Sequence, residues 1–216
     1  MRIIGKKLAV LIVGATIILL VAAYYMMPSE KYEEGDKWVY AVTEGDEKNR
    51  YTMEVVDVGR NEVVMKETYK KQTQYRVYTY RKGYTRWEKY NKENELLSKD
   101  EFKGDPYFTF EFFTPSLKVG KRWGGTFEQR HTDENGTVRE HQLTFEGKIL
   151  GKEKITVEAG EFIAYKVEIR WFEGDTLYII EEYWYSPEVR YNVKFKFGTE
   201  KECKMTAELI RFELKR

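Results

Sequence analysis

The residues best able to do chemistry are His131 and His141, the only histidines of the 216-residue chain. They flank Glu134-Asn135-Gly136-Thr137, with Glu128, Asp133 and Glu140 close by. Such groups can build a metal site or an acid–base pair. Asn-Gly, however, is a signal for a two-residue type I′ hairpin. In that turn residue 131 pairs with 140, so the imidazoles face opposite sides of the sheet, and only a bulge would bring them together. They read as solvated hairpin residues, and no metal or other cofactor is expected. Cys203 sits beside Lys204 with no histidine near, and reads as a small residue in or near the core. Ser29, Ser98, Ser116 and Ser186 stand in no Gly-x-Ser-x-Gly context. Glu181 and Glu182 are adjacent on a predicted strand and face apart, so they are not an acid–base pair for one substrate. No glycine-rich phosphate loop is present. Catalytic residues are therefore not expected; an enzyme would have to use a cleft around His131, Glu140 and His141. Asn135-Gly136-Thr137 also matches the N-glycosylation sequon.

Aromatic side chains are the remaining signal: 5 Trp, 17 Tyr and 12 Phe. Most belong to a core. Tyr75, Tyr78 and Tyr80, with Tyr107, Phe108, Phe110 and Phe112, are the candidate lining of a concavity that would accept an acyl chain, a polyprenyl tail or a sugar.

The elements that must position these residues are strands. Alternating or aromatic-rich runs predict strands over 38–44, 50–58, 62–70, 75–81, 84–91, 121–131, 137–149, 153–157, 162–172, 176–186, 189–197 and 202–215. Short turns at Gly45-Asp46, Gly59-Arg60-Asn61, Lys82-Gly83, Gly174-Asp175 and Gly198-Thr199 make consecutive strands antiparallel. The expected fold is all-β, a strongly curved antiparallel sheet or incomplete barrel. Ile163, Tyr165, Val167, Ile169 and Trp171 are expected on one buried face. Residues 176–186 are apolar on both faces, which suits a central strand. The apolar phase slips between Leu209 and Ile210, which predicts a bulge. Gly35-Asp36-Lys37-Trp38 echoes Gly120-Lys121-Arg122-Trp123 and predicts two similar strand starts, each seating a Trp in the core. Residues 93–117 are the least regular; a helix is expected near 94–102, and 107–113 would make a lid.

Ahead of the domain, residues 8–27 hold no charge. As a helix they span about 30 Å, the thickness of a bilayer's hydrocarbon core. Leu8, Ile12, Ile18 and Leu20 are its apolar body, and Tyr24 and Tyr25 suit the interface. Arg2, Lys6 and Lys7 precede it, so the N-terminus is expected to be cytoplasmic and the rest exported. The segment lacks a good small-x-small cleavage site, which favours a retained single-pass anchor over a cleaved signal peptide. The expected organisation is a basic tip and transmembrane helix over 1–27, a linker over 28–34 and an extracytoplasmic domain over 35–216. With 37 basic and 36 acidic residues the chain offers no footprint for nucleic acid. A single Cys precludes an intramolecular disulfide. High Lys and Glu with little Cys, His, Gln and Asn matches heat-adapted compositions.

Val157-Glu158-Ala159-Gly160-Glu161-Phe162-Ile163-Ala164-Tyr165-Lys166-Val167, then Tyr183-Trp184-Tyr185-Ser186-Pro187 and Val193-Lys194, together with Leu117-Lys118-Val119-Gly120-Lys121-Arg122-Trp123, resemble the C-terminal half of TapB-like and related uncharacterised exported β-domains. The resemblance covers 117–197 and implies an antiparallel sheet of an envelope or surface protein, with no catalytic residue to carry over. A looser likeness to LolA-type lipoprotein carriers implies a curved sheet that holds acyl chains, although an anchored chain would not shuttle. Three functions follow as expectations. The first is a non-enzymatic binding module for a hydrophobic or lipid-like ligand at the outer membrane surface. The second is a cell-surface interaction or scaffolding protein with an envelope protein partner. The third is an enzyme with an unrecognised site.

Overall fold

The computed structural model describes residues 32–60, 62–70, 72–81, 84–91, 93–103 and 117–215, with the backbone alone at 78–81, 84 and 85. The expected transmembrane segment lies outside these residues. Among the described residues no helix is long and apolar enough to cross a membrane.

Twelve strands follow one another: β1 (Lys37–Glu44), β2 (Glu47–Val58), β3 (Glu62–Tyr69), β4 (Gln72–Arg81), β5 (Tyr84–Tyr90), β6 (Leu96–Lys103), β7 (Arg122–Asp133), β8 (Val138–Val157), β9 (Gly160–Glu173), β10 (Thr176–Ser186), β11 (Tyr191–Gly198) and β12 (Cys203–Glu213). Each pairs antiparallel with its sequence neighbours. The expected open sheet is in fact a closed barrel, because β1 also pairs with β12 from Lys37↔Glu213 to Thr43↔Thr206. Seven of the twelve strand pairs carry a register shift. Such shifts increase local twist and curl, which lets a long meander meet its own first strand and leave no edge unpaired.

The ring is apolar inside and charged outside. Trp38, Tyr40, Met53, Val55, Val63 and Met65 build one buried cluster with β10 to β12. Phe102, Phe127, Phe145, Ile149, Val167 and Ile169 build a second on the far side. Outward residues form ion pairs such as Lys166–Glu182 at 2.6 Å and Lys37–Glu54 at 3.1 Å. A lipid-facing barrel carries its apolar band outside, so the polarity here is the reverse.

The two Gly-x-x-Trp motifs are two copies of one strand start. Gly35 and Gly120 have φ of +90° and +85°. That is the position in a type II turn that glycine fills without strain. Asp36 N–H donates to Glu33 O at 2.9 Å, and Lys121 N–H donates to Lys118 O at 3.0 Å. Each glycine N–H then donates to the adjacent strand, at Val55 O or Ile149 O, and that residue's N–H donates back to the residue after the glycine. Trp38 is wholly buried, while Trp123 is half-buried and lies across Gly147, where a Cβ would collide with its indole.

The predicted slip in the last strand is present. Val39 pairs with Arg211 and Tyr40 with Leu209, so Ile210 is the bulged residue. Four other expectations are corrected. Residues 96–103 form β6, not part of a helix, because all but the bulged Leu97 find a partner on β5. The predicted strands over 137–149 and 153–157 are one long β8, bent at a bulge at Leu150. On β9 the buried face changes between Ala164 and Val167: Val167 and Ile169 are buried on one face, but nearer the hairpin Ile163 is exposed while Phe162 and Ala164, on the other face, are buried. Lastly, the β7–β8 turn is not type I′. Gly136 alone has positive φ, at +78°, and both Gly136 N–H and Thr137 O bond to the backbone of Asp133.

Candidate functional site

The lower end of the barrel, where β1 starts and β12 ends, is closed by packing. Trp38 Nε1–H donates to Val189 O at 2.8 Å, and Tyr40 O–H to Asn192 O at 2.8 Å. Both bonds tie β1 to the 3-10 turn Pro187–Val189 and to β11. Rings of Tyr32, Trp38 and Tyr191 pack at 5.1–6.5 Å. Asp36, wholly buried, accepts Glu33 N–H and Lys215 N–H and pairs with Arg190 at 3.2 Å. The β8–β9 hairpin reaches past β10, and its Ala159 N–H donates to Leu209 O at 3.1 Å, where β12 has parted from β11.

Above this floor a twelve-stranded ring is wider than its side chains can fill. Small barrels of about eight strands pack solid, and larger ones leave space. A cavity of about 240 Å³ remains between the two clusters. Tyr51 and Met53 of β2 and Trp87 of β5 wall one part of it. Ile169 and Trp171 of β9, Tyr183 of β10 and Phe195 and Phe197 of β11 wall the other. The volume falls just below the roughly 300–1,000 Å³ of drug-sized pockets and suits a ring, a short chain or the end of a larger amphiphile.

Lys196 of β11 borders the cavity with its ammonium turned to the Trp184 ring outside, and among the described residues two charged groups stand in these apolar walls, Arg76 of β4 and Glu181 of β10. Their strands are six apart in the ring of twelve, so they face one another across the barrel. Trp171 Nε1–H and Tyr183 O–H both donate to Glu181 Oε2 at 2.9 Å. Arg76 pairs with Glu67 at 3.1 Å, and Gln74 donates to the same oxygen of Glu67 at 2.9 Å. Glu67 is only 1% exposed. Strand alternation explains both acids: Glu67 is in phase with Val63 and Met65, and Glu181 with Ile179 and Tyr183. As expected, Glu182 faces the opposite way, toward Lys166. Lower down the wall, burial pushes the Tyr185 phenol up to about 12.

Of the residues expected to line a pocket, Tyr75 alone has a described side chain. Tyr75 pairs with Lys66 and Tyr90 and lies on the opposite face of β4 from Arg76. The side chains of Tyr78 and Tyr80, and all of Tyr107, Phe108, Phe110 and Phe112, lie outside the described residues, as do Leu8, Ile12, Ile18, Leu20, Tyr24 and Tyr25. Pattern reading missed Glu67, Arg76 and Glu181. The signal that would have found them is a charge in phase with the apolar face of its strand.

The histidines also move. Because the hairpin contains a bulged glycine, His131 pairs with Arg139 and Gln129 with His141. That register puts both imidazoles on one face, not two. They do not share a partner: His131 Nδ1 lies 2.8 Å from Asp100 and His141 Nδ1 3.4 Å from Glu173. Gln129 also donates to Asp100, at 2.9 Å. Glu140 is on the other face, 3.9 Å from Arg130. Among the described residues no group of three or more His, Cys, Asp or Glu could hold a metal ion. Cys203 is exposed, not in the core.

These features define a class: a closed twelve-stranded antiparallel barrel, charged outside and apolar inside, with an internal cavity. No known family profile matches the chain, and no curated protein matches it. Among solved structures it is similar to the hypothetical lipoprotein YmcC from Escherichia coli, at 9% identity and a TM-score of 0.46, over 91% of this chain and 94% of that one. It is also similar to a protein described as exported, of YmcC-like fold, from Bacteroides fragilis. There the identity is 12% and the TM-score 0.40, over 88% of this chain and 99% of that one. A third, described as a lipoprotein from Parabacteroides distasonis, has 12% identity and a TM-score of 0.41, over 88% and 98%.

Proposed function

We propose that this chain is a non-enzymatic binding module that holds a small hydrophobic or amphipathic ligand inside its barrel. Residues 8–27 would anchor it in the membrane and leave the barrel on the outer surface. The observation that carries the reading is the cavity of about 240 Å³, walled by large aromatics yet fitted with Arg76 and Glu181. A purely structural core would be filled to crystal-like density and would not seat charges in its walls. Among the described residues the charged exterior and the closed ring offer a partner neither an apolar band nor an edge strand, which favours this reading over surface scaffolding. Native mass spectrometry of the full-length chain purified from membranes tests it, with solvent extraction of whatever co-purifies. A bound small molecule displaced when Phe195→Trp narrows the cavity is the expected result. A chain that is empty, and that binds no apolar probe added to it, would reject the reading.

A further inference from the structure

We infer that the barrel stands on the membrane with its lower end, where β1 starts and β12 ends, against the lipid headgroups and its upper rim turned away. This rests on the anchor in the reading above and adds the surface that meets the bilayer. Between the expected span, which ends at Met27, and the first described residue, Tyr32, lie only residues 28–31. The chain from Met27 to Tyr32 reaches about 18 Å at full extension, and about 6 Å of that is used in crossing the headgroup layer. The far end of this tether is fixed. Tyr32 is 2% exposed, with its ring against Trp38 and Tyr191 in the floor. One residue on, Glu33 N–H donates to Asp36, which also holds Arg190 and the Lys215 N–H. The chain thus enters the barrel through a clasp, not through a loose lead.

Barrel height decides between the two ends. β10 has 11 residues and stands about 25 Å tall at the usual rise and tilt of a barrel strand. With the upper rim on the membrane, Tyr32 would be held about that far from the headgroups, roughly twice what the tether allows. A barrel on its side would set ion-paired walls, such as Lys166–Glu182 and Lys194–Glu208, against the bilayer, where they gain no apolar burial. Trp171, Phe197 and Met205 wall the cavity close to the upper ends of β9, β11 and β12. In the upright orientation that part of the cavity is carried away from the membrane, so a lipid tail must leave the bilayer to reach it.

Cys203, the single cysteine of the chain, is exposed at the start of β12 on the upper rim and serves as the reporter. The full-length chain is labelled there with a maleimide fluorophore and reconstituted in phosphatidylcholine vesicles whose headgroups carry nitroxides, which quench a dye at contact range. A second chain combines Cys203→Ser with Glu188→Cys, which moves the dye to an exposed position in the lower turn Pro187–Val189. The dye at 188 should lose most of its emission, and the dye at 203 should keep nearly all of it. Equal quenching at the two positions, or stronger quenching at 203, would overturn the inference and leave the anchor and the binding module intact. A chain stripped from the vesicles by alkaline washing would overturn the anchor and the inference together, whatever the cavity binds. If Glu188→Cys does not fold, Glu158→Cys in the β8–β9 turn puts the dye at the same end.

Discussion

Single residues fix the barrel's most constrained points, and three substitutions show how. Gly147→Ala places a methyl group against the body of the Trp123 indole, a rigid group with β8 beneath it. A loss of about 1–3 kcal/mol is expected in urea unfolding. Gly120→Ala meets open space, so it should show only the strain of a positive φ, about 1 kcal/mol. Asp36→Ala removes the acceptor for two backbone N–H groups and leaves Arg190 without its buried partner. About 3 kcal/mol should be lost, the low end for a buried pair because Arg190 is partly exposed. Tyr185 gives a pH test. Its folded pKa is raised by burial to about 12 against an ordinary value near 10. Its stabilising contribution is thus complete below about pH 10 and is lost as pH rises toward 12. Tyr185→Phe should match the parent near neutrality and unfold less steeply across that alkaline window, as followed by circular dichroism.

At the level of elements, turns and bulges decide what each strand presents. The β7–β8 turn keeps Asn135 at negative φ and Gly136 at +78°. Gly136→Ala should therefore cost about 1 kcal/mol, while Asn135→Ala changes stability little, a contrast that thermal unfolding resolves. A type I′ turn would have penalised both. Deleting Ile210 would remove the bulge and reverse Phe212 and Leu214, so cooperative unfolding should weaken by several kcal/mol. That bulge was legible in the sequence because the apolar phase breaks visibly at Leu209-Ile210. The paired strand starts were legible because Gly-x-x-Trp records both a backbone conformation and a buried ring. The turn was not: Asn-Gly serves two turn types, and choosing the wrong one moved the register by one residue and put His141 on the wrong face. The change of buried face along β9 was also hidden, since Ile163 and Phe162 are equally apolar and only tertiary packing selects which is buried. Tyr75 lies on the face of β4 opposite Arg76, so its own aromatic ring did not locate the cavity. Its walls come from strands on opposite sides of a ring whose closure depends on β1 meeting β12.

For the molecule as a whole, that meeting joins residues more than 160 positions apart. Contacts so distant in sequence must pass through costly loop closure before they contribute. Refolding should therefore take on the order of seconds or longer, as stopped-flow fluorescence of the five tryptophans would show. Added ligand should raise the unfolding midpoint with the logarithm of its concentration once that exceeds the Kd, because the cavity exists only in the closed ring. The seam has a mechanical side too. Lys37 lies opposite Glu213, and the strands run antiparallel from there. A tension that pulls the start of β1 away from the end of β12 would load those hydrogen bonds one at a time, as a zipper is opened, instead of all together in shear. The clasp that Asp36 makes with Arg190 and Lys215 is the first link to feel that pull. While it holds, the ring bears the load; once it parts, β1 and β12 peel from the same end and the cavity opens along its length.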